Sequence, residues 1–281
     1  MDYIEQLKSR TKQTKSIVCM GIDPVLEKIP IQEKSIEKKL TKFYLDILDA
    51  IISEKTEPAI VKPNYAFFGQ YGFDGLRALK KIIEAYKKQG IPVLLDAKRG
   101  DIGNTSVAYA KEVFEFWQAD AVTINPYLGS DSVDAFIQWC EKGKGVYMLV
   151  RTSNKGAIDL QNLEVQGTPI YMKVAQKLLD WYKPGLGAVV GATYPKELEQ
   201  ISKFFVGSKK HVPLLIPGVG AQGGTAQDVV EALKKSGNDL TIHRINSSSD
   251  INYAYEKQKT DDYAGAAADA IKKLNKEINL K

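Results

Sequence analysis

A single (β/α)8 barrel, an α/β TIM-barrel domain spanning residues 1–281, is the fold that the sequence predicts. Three observations lead to it: eight short apolar runs alternate with helix patterns, no linker or composition break interrupts them, and polar residues gather at the C-terminal ends of the apolar runs. The 281 residues, 44% hydrophobic and 26% charged, suit one large globular domain. The net charge of +5 is thinly spread and mostly lysine, with no dense basic block interleaved with aromatics, which argues against nucleic acid as a partner. Cys19 and Cys140 lack a C-x-x-C spacing and read as buried residues in a reducing compartment. His211 and His243 stand far apart outside any H-E-x-x-H pattern, so no metal site is expected. No signal-peptide core occurs and no run approaches ~18 apolar residues, so a cytoplasmic protein without a membrane partner is expected.

In chain order, residues 1–15 predict a short amphipathic helix. Ile17–Ile22 is the first strand, ending at Asp23 before a helix-incompatible proline. Leu40, Phe43, Tyr44, Ile47 and Leu48 recur at three-to-four spacing and predict a helix over 35–55. The second strand, 58–64, carries Lys62 near its end as Asp23 ends the first. A helix over 75–89 leads to the third strand, 91–98. Helix 105–118, strand 121–127, helix 131–140 and strand 145–153 follow, the last ending in the uncharged hydrogen-bonding run Thr152-Ser153-Asn154. Residues 155–168 read as a long polar loop of the kind that forms lids. Helix 169–182, strand 186–193, helix 195–205 and strand 212–220 come next. Gly218, Gly220, Gly223 and Gly224 then surround Gln222 ahead of helix 226–235, an arrangement that offers backbone N–H groups to an anion such as phosphate. Strand 240–246, the run Ser247-Ser248-Ser249 and a final helix to about Lys276 complete the pattern.

The densest chemistry lies in Asp96-Ala97-Lys98-Arg99-Gly100-Asp101. In a strand, Asp96 and Lys98 share a face. Gly100 lets the chain turn, and Asp101 is expected to bring a second carboxylate close to Lys98. Asp23, Lys62, Asp96, Lys98, Asn125, Ser153, Gln222 and Ser247–Ser249 all fall at strand C-termini, the face that carries the active site in such barrels. A phosphorylated small molecule fits this face, its phosphate at Gly218–Gly224 and its reacting part over Lys62, Asp96 and Lys98.

These residues resemble the orotidine 5'-monophosphate decarboxylase family, in its bacterial type 2 branch. The D-x-K-x-x-D signature stands at Asp96–Asp101, and further matches occur at Gly21–Pro24, Val61–Asn64, Asn125–Gly129, Val150–Asn154 and Pro217–Gly224. The resemblance implies conversion of orotidine 5'-phosphate to uridine 5'-phosphate and CO2, without metal or organic cofactor. It implies Lys98 as proton donor to C6, with Lys62, Asp96 and Asp101 completing a charged network. Asp23 and Lys62 would hold the ribose, Ser153 the pyrimidine edge, and Gln222 with Gly218, Gly220 and Gly223 the phosphate. A homodimer is implied, in which Asp101 and Thr105 reach the partner's site.

One departure stands out. Where the family pattern has a phosphate-clamping arginine after the eighth strand, this chain has Ser249, followed by Asp250. Arg244, five residues earlier, is not expected to replace it, whereas Lys155 is a candidate substitute cation. The departure motivates two alternatives: a catalytically weakened nucleotide-binding paralogue, and a magnesium-dependent phosphosugar decarboxylase on the same barrel.

Overall fold

The computed structural model describes residues 1–220 and 222–280; Ala221, within the glycine-rich motif, and Lys281 lie outside them. Eight parallel strands form the barrel: β1 (Val18–Ile22), β2 (Ile60–Pro63), β3 (Leu94–Arg99), β4 (Ala121–Ile124), β5 (Gly145–Arg151), β6 (Leu186–Val190), β7 (Leu214–Ile216) and β8 (Arg244–Ser247). Their order is β2-β1-β8-β7-β6-β5-β4-β3. Parallel bridges at Val61–Val93 and Asn64–Asp96 join the two ends, closing the sheet on itself.

The strands are apolar on both faces because both faces are covered, as parallel sheets require. Outside, Leu40, Phe43, Ile47 and Ile51 of helix Ile36–Ser53 belong to the large core between helices and sheet. Inside, Cys19, Ile60, Leu94, Tyr147 and Leu215 form a second, smaller core with Tyr3, Ile4 and Leu7 of helix Tyr3–Thr14. That first helix therefore plugs the N-terminal mouth of the barrel. Asp2 caps it in a reciprocal capping box with Glu5.

Arg244 belongs to this floor. It is buried, its Nη2 donating to the Leu7 carbonyl at 2.9 Å and its Nη1 to Thr11 Oγ1 at 3.2 Å and the His243 carbonyl at 2.7 Å. It stands at the N-terminal end of β8, at the opposite end of the strand from Ser247.

Several boundaries differ from the sequence pattern. The eighth strand starts at Arg244, not Leu240, because Asp239 accepts from the Thr241 N–H and winds Leu240–Ile242 into a 3-10 turn. Strands expected to run to Tyr127, Ser153 and Gly220 stop at Ile124, Arg151 and Ile216, where the chain turns into the loops of the upper face. The predicted loop over 155–168 is partly ordered: short helical turns at Lys155–Ala157 and Ile158–Gln161 precede a hairpin of Glu164–Val165 with Thr168–Pro169. Gln166 and Gly167, both at positive φ (54° and 70°), make its two-residue turn. The final helix is divided into Ser249–Asn252, Ala254–Gln258 and Tyr263–Ile278. Among the described residues no helix is long and apolar enough to cross a membrane.

His243 is buried beside the floor, its Nδ1 accepting from the Leu214 N–H at 3.0 Å, and burial pushes its pKa down to about 3. The unfolded chain therefore binds the extra proton. This residue's contribution to stability is full above about pH 6.5 and is lost as pH falls from there towards 3. Urea unfolding is expected to show about 2 kcal/mol of stability lost through this group at pH 5 relative to pH 8. His243→Asn is expected to abolish that share of the pH dependence, whatever its absolute stability.

Candidate active site

Lys62, Asp96 and Lys98 form a chain of charges at the upper ends of β2 and β3. Asp96 Oδ2 accepts from Lys62 Nζ at 2.8 Å and Oδ1 from Lys98 Nζ at 2.6 Å. Lys62 and Asp96 are 4% and 7% exposed, whereas the Lys98 side chain is half exposed and reaches into the open mouth. Burial alone would lower the pKa of Lys62, but the charges of Asp96 and Asp23 outweigh it and drive it up. Burial likewise works against ionised Asp96, yet Lys62 and Lys98 together hold its carboxyl well below the usual carboxylate range. Lys62 and Asp96 are thereby held in their charged, hydrogen-bonded forms.

Lys98 owes its aim to a break in the strand. Its φ is 46°, a left-handed conformation that costs a non-glycine residue roughly 1–2 kcal/mol, and the register with β4 shifts between Leu95 and Arg99. Alternation along a regular strand is therefore not what brings Asp96 and Lys98 together. Thr123 of β4 holds the irregular stretch: its Oγ1 accepts from the N–H groups of Ala97 (3.1 Å) and Lys98 (3.0 Å) and donates to Asp96 Oδ1 (2.8 Å). One hydroxyl thus uses its full hydrogen-bonding capacity to fix both members of the pair. Sequence reasoning missed Thr123, although its signal was present as the one polar residue within Ala121-Val122-Thr123-Ile124.

Arg99 braces the next position. It lies between the rings of Tyr65 and Tyr109, 4.5 and 4.6 Å from their centroids, and pairs with both oxygens of Glu112 at 2.9 Å. Glu112 opens the π-helical turn Glu112–Phe116 that continues helix Gly103–Lys111.

Asp101 does not join the charged chain of its own subunit. Its Oδ1 accepts from the Ile102 N–H at 2.8 Å, and the expected approach of this carboxylate to Lys98 within one chain is not found. Gly100 packs close against Asn125, where a Cβ would lie 3.0 Å from the Asn125 carbonyl. Thr105 is exposed on helix Gly103–Lys111.

Beside the charges opens a cleft of about 280 Å3 lined by Asp23, Gly218, Gln222, Asn246, Ser248 and Ser249 together with Lys28 and Tyr253. Asp23 links the two halves, since it lines the cleft and its charge acts on Lys62. Ser153 abuts the glycine loop: a Cβ on Gly218 would lie 3.1 Å from the Ser153 Cβ and 3.3 Å from Gln222 Oε1. Gly218, Gly220 and Gly223 have φ of 101°, 88° and 92°, conformations open to glycine. The expected fan of free N–H donors is narrower than the sequence suggests. Gly220, Gly223 and Gly224 donate to carbonyls of Gly224, Gly220 and Gly218, so the turn closes on itself. Lys155 is exposed and is not part of the cleft lining.

A barrel whose upper face sets a lysine-carboxylate-lysine chain beside a glycine-loop cleft belongs to the class of barrel enzymes that act through fixed charges on a small anionic molecule. Residues 16–271 match the profile described as "Orotidine 5'-phosphate decarboxylase / HUMPS family", and the chain belongs to that family. Among its relatives are the orotidine 5'-phosphate decarboxylases of Dechloromonas aromatica, 41% identical over 100% of this chain and 99% of that one, and of Ralstonia pickettii, 42% identical over 99% and 98%. The solved structure of Leishmania donovani OMP decarboxylase superposes with a TM-score of 0.78 at 30% identity, covering 100% of both chains.

Thr123→Val removes the acceptor for two N–H groups and a donor to Asp96. It is expected to reduce unfolding free energy by roughly 2–4 kcal/mol. A kcat lowered about 10- to 100-fold, measured on the still-folded variant, is expected from misaiming Lys98.

Proposed function

We propose that this enzyme decarboxylates orotidine 5'-phosphate to uridine 5'-phosphate, the closing step of pyrimidine nucleotide synthesis. The observation that carries the reading is the Lys62–Asp96–Lys98 chain, set beside a cleft that ends in the glycine loop. The family membership and the named relatives support the same activity.

The chemistry follows from those charges. The C6–carboxylate bond breaks, CO2 departs, and the electron pair remains at C6, where the ring delocalises it poorly. The Lys98 ammonium stabilises that developing charge and delivers its proton to C6, forming the new C–H bond. Its half-exposed position lets solvent restore the proton afterwards. Asp96 fixes the direction of the ammonium and, with Lys62 and Thr123, costs no reorganisation during the step. In this reading Asp23 and Lys62 meet the ribose, Ser153 the pyrimidine edge, and Gln222, Gly218, Gly220, Gly223 and Ser249 the phosphate end.

The assembly in this reading is a cytoplasmic homodimer. Ile102, Val107, Tyr127 and Leu128 are exposed apolar residues near Asp101 and Thr105, which suits a face covered by a second copy. Asp101 and Thr105 would then act in the partner's site, where Asp101 supplies Lys98 with its second carboxylate.

Loss of orotidine 5'-phosphate absorbance on mixing with the protein tests the activity. Turnover that survives EDTA and falls about ten-thousand-fold or more in Lys98→Ala is expected. A flat trace at high enzyme and substrate would instead favour a silent nucleotide binder. For the dimer, mixing inactive Lys98→Ala and Asp101→Ala proteins is expected to restore about a quarter of the sites, because one site of each mixed dimer is intact. No recovery after verified subunit exchange would place Asp101 in its own subunit's site.

A further inference from the structure

A phosphate dianion in the cleft needs a countercharge, and the arginines do not supply one. Arg10 pairs with Glu57, Arg77 with Glu37 and Asp74, Arg99 with Glu112, Arg151 with Glu197 under the ring of Tyr194, and Arg244 lies in the barrel floor. Lys62 is committed to Asp96. The glycine loop has turned three of its N–H groups inward. Asp250 adds a carboxylate: a Cβ on Gly220 would lie 1.9 Å from Asp250 Oδ2, and Lys257 pairs with the other oxygen at 2.5 Å. Among the described residues that line the cleft, one carries positive charge, Lys28.

Lys28 is brought there by construction. It ends the 3-10 turn Leu26–Lys28 after β1, and two tyrosines tie that turn to the segment after β8. Tyr253 Oη accepts from the Val25 N–H at 2.8 Å and donates to the Asp23 carbonyl at 3.1 Å, and Tyr255 Oη donates to the Lys28 carbonyl at 2.6 Å. The ammonium sits 5.2 Å over the Tyr253 ring and pairs with Glu256 at 2.7 Å. Both side chains of that pair are exposed, 44% and 41%, so water screens it and a stronger anion can displace the carboxylate.

We propose that Lys28 is the cation that binds the 5'-phosphate of the substrate, exchanging Glu256 for the phosphate and standing in for a guanidinium after β8. The proposal rests on the nucleotide reading given above. It differs from an arginine clamp in kind, since an ammonium is a point charge on a flexible stem and not a planar fork. It also adds the loop after β1 to the phosphate end of the cleft, whose lining it shares with the glycine loop.

The test compares wild type, Lys28→Met and Lys28→Arg with ligands that differ in the phosphate alone. Dissociation constants for uridine 5'-phosphate and uridine are measured by calorimetry, and KM and kcat for orotidine 5'-phosphate in parallel. Lys28→Met is expected to weaken uridine 5'-phosphate binding and raise KM by about tenfold or more, with uridine binding unchanged and Lys28→Arg recovering most of the loss. Equal uridine 5'-phosphate affinity in Lys28→Met and wild type, or an equal loss for uridine, overturns the assignment. A wild type that binds uridine 5'-phosphate through Lys28 but turns nothing over would leave the assignment standing and overturn the decarboxylase reading.

Discussion

The carboxylate of Asp96 is the constraint around which the upper face is organised. It is almost fully buried, and a buried charge is tolerated when it is paired and hydrogen-bonded. Here its two oxygens take two ammonium groups and a hydroxyl. Removing an ammonium strips the buried carboxylate of part of its countercharge, and removing the hydroxyl strips it of a hydrogen bond, so the arrangement is rigid for electrostatic reasons as well as steric ones. Lys98 gains its direction from this, although half of its side chain is open to solvent.

The rest of the barrel separates stability from chemistry along its axis. At the floor, Tyr3, Leu7 and Tyr147 pack in the interior core, while Arg244 and neutral His243 satisfy backbone groups. On the outside, Arg99 and Arg151 are stacked and paired with glutamates. These guanidiniums hold the ends of β3 and β5, the strands whose loops carry Asp101 and Ser153. The same commitment removes them from the cleft, and a lysine on the loop after β1 is then the side chain left to meet an anion.

Much of this was legible in the sequence. Each barrel strand reads as an apolar run because both of its faces are buried, and the alternation with helix patterns gives the closed architecture directly. Lys62, Asp96 and Lys98 stood out because charges at the ends of apolar runs must face either solvent or each other. What could not be read depends on contacts distant in sequence or on local backbone irregularity. Thr123 acts across a strand pair that the pattern does not specify. Lys98 takes a positive φ that no propensity announces. Asp101 looked like a neighbour of Lys98 because the two are three residues apart, whereas within its own chain it accepts from the Ile102 N–H beyond the positive-φ break at Lys98. Lys28 was hidden for a similar reason: its place in the cleft depends on Tyr253 and Tyr255, more than two hundred residues later.

The decisive measurement is single-turnover decarboxylation of orotidine 5'-phosphate by Asp96→Asn, made on protein whose circular dichroism shows it folded. With the carboxylate gone, two ammoniums face each other without a bridge and Lys98 loses its aim. A fall of about a thousand-fold in the rate of the chemical step is predicted. A rate within about tenfold of wild type, a small effect on this scale, would contradict the account.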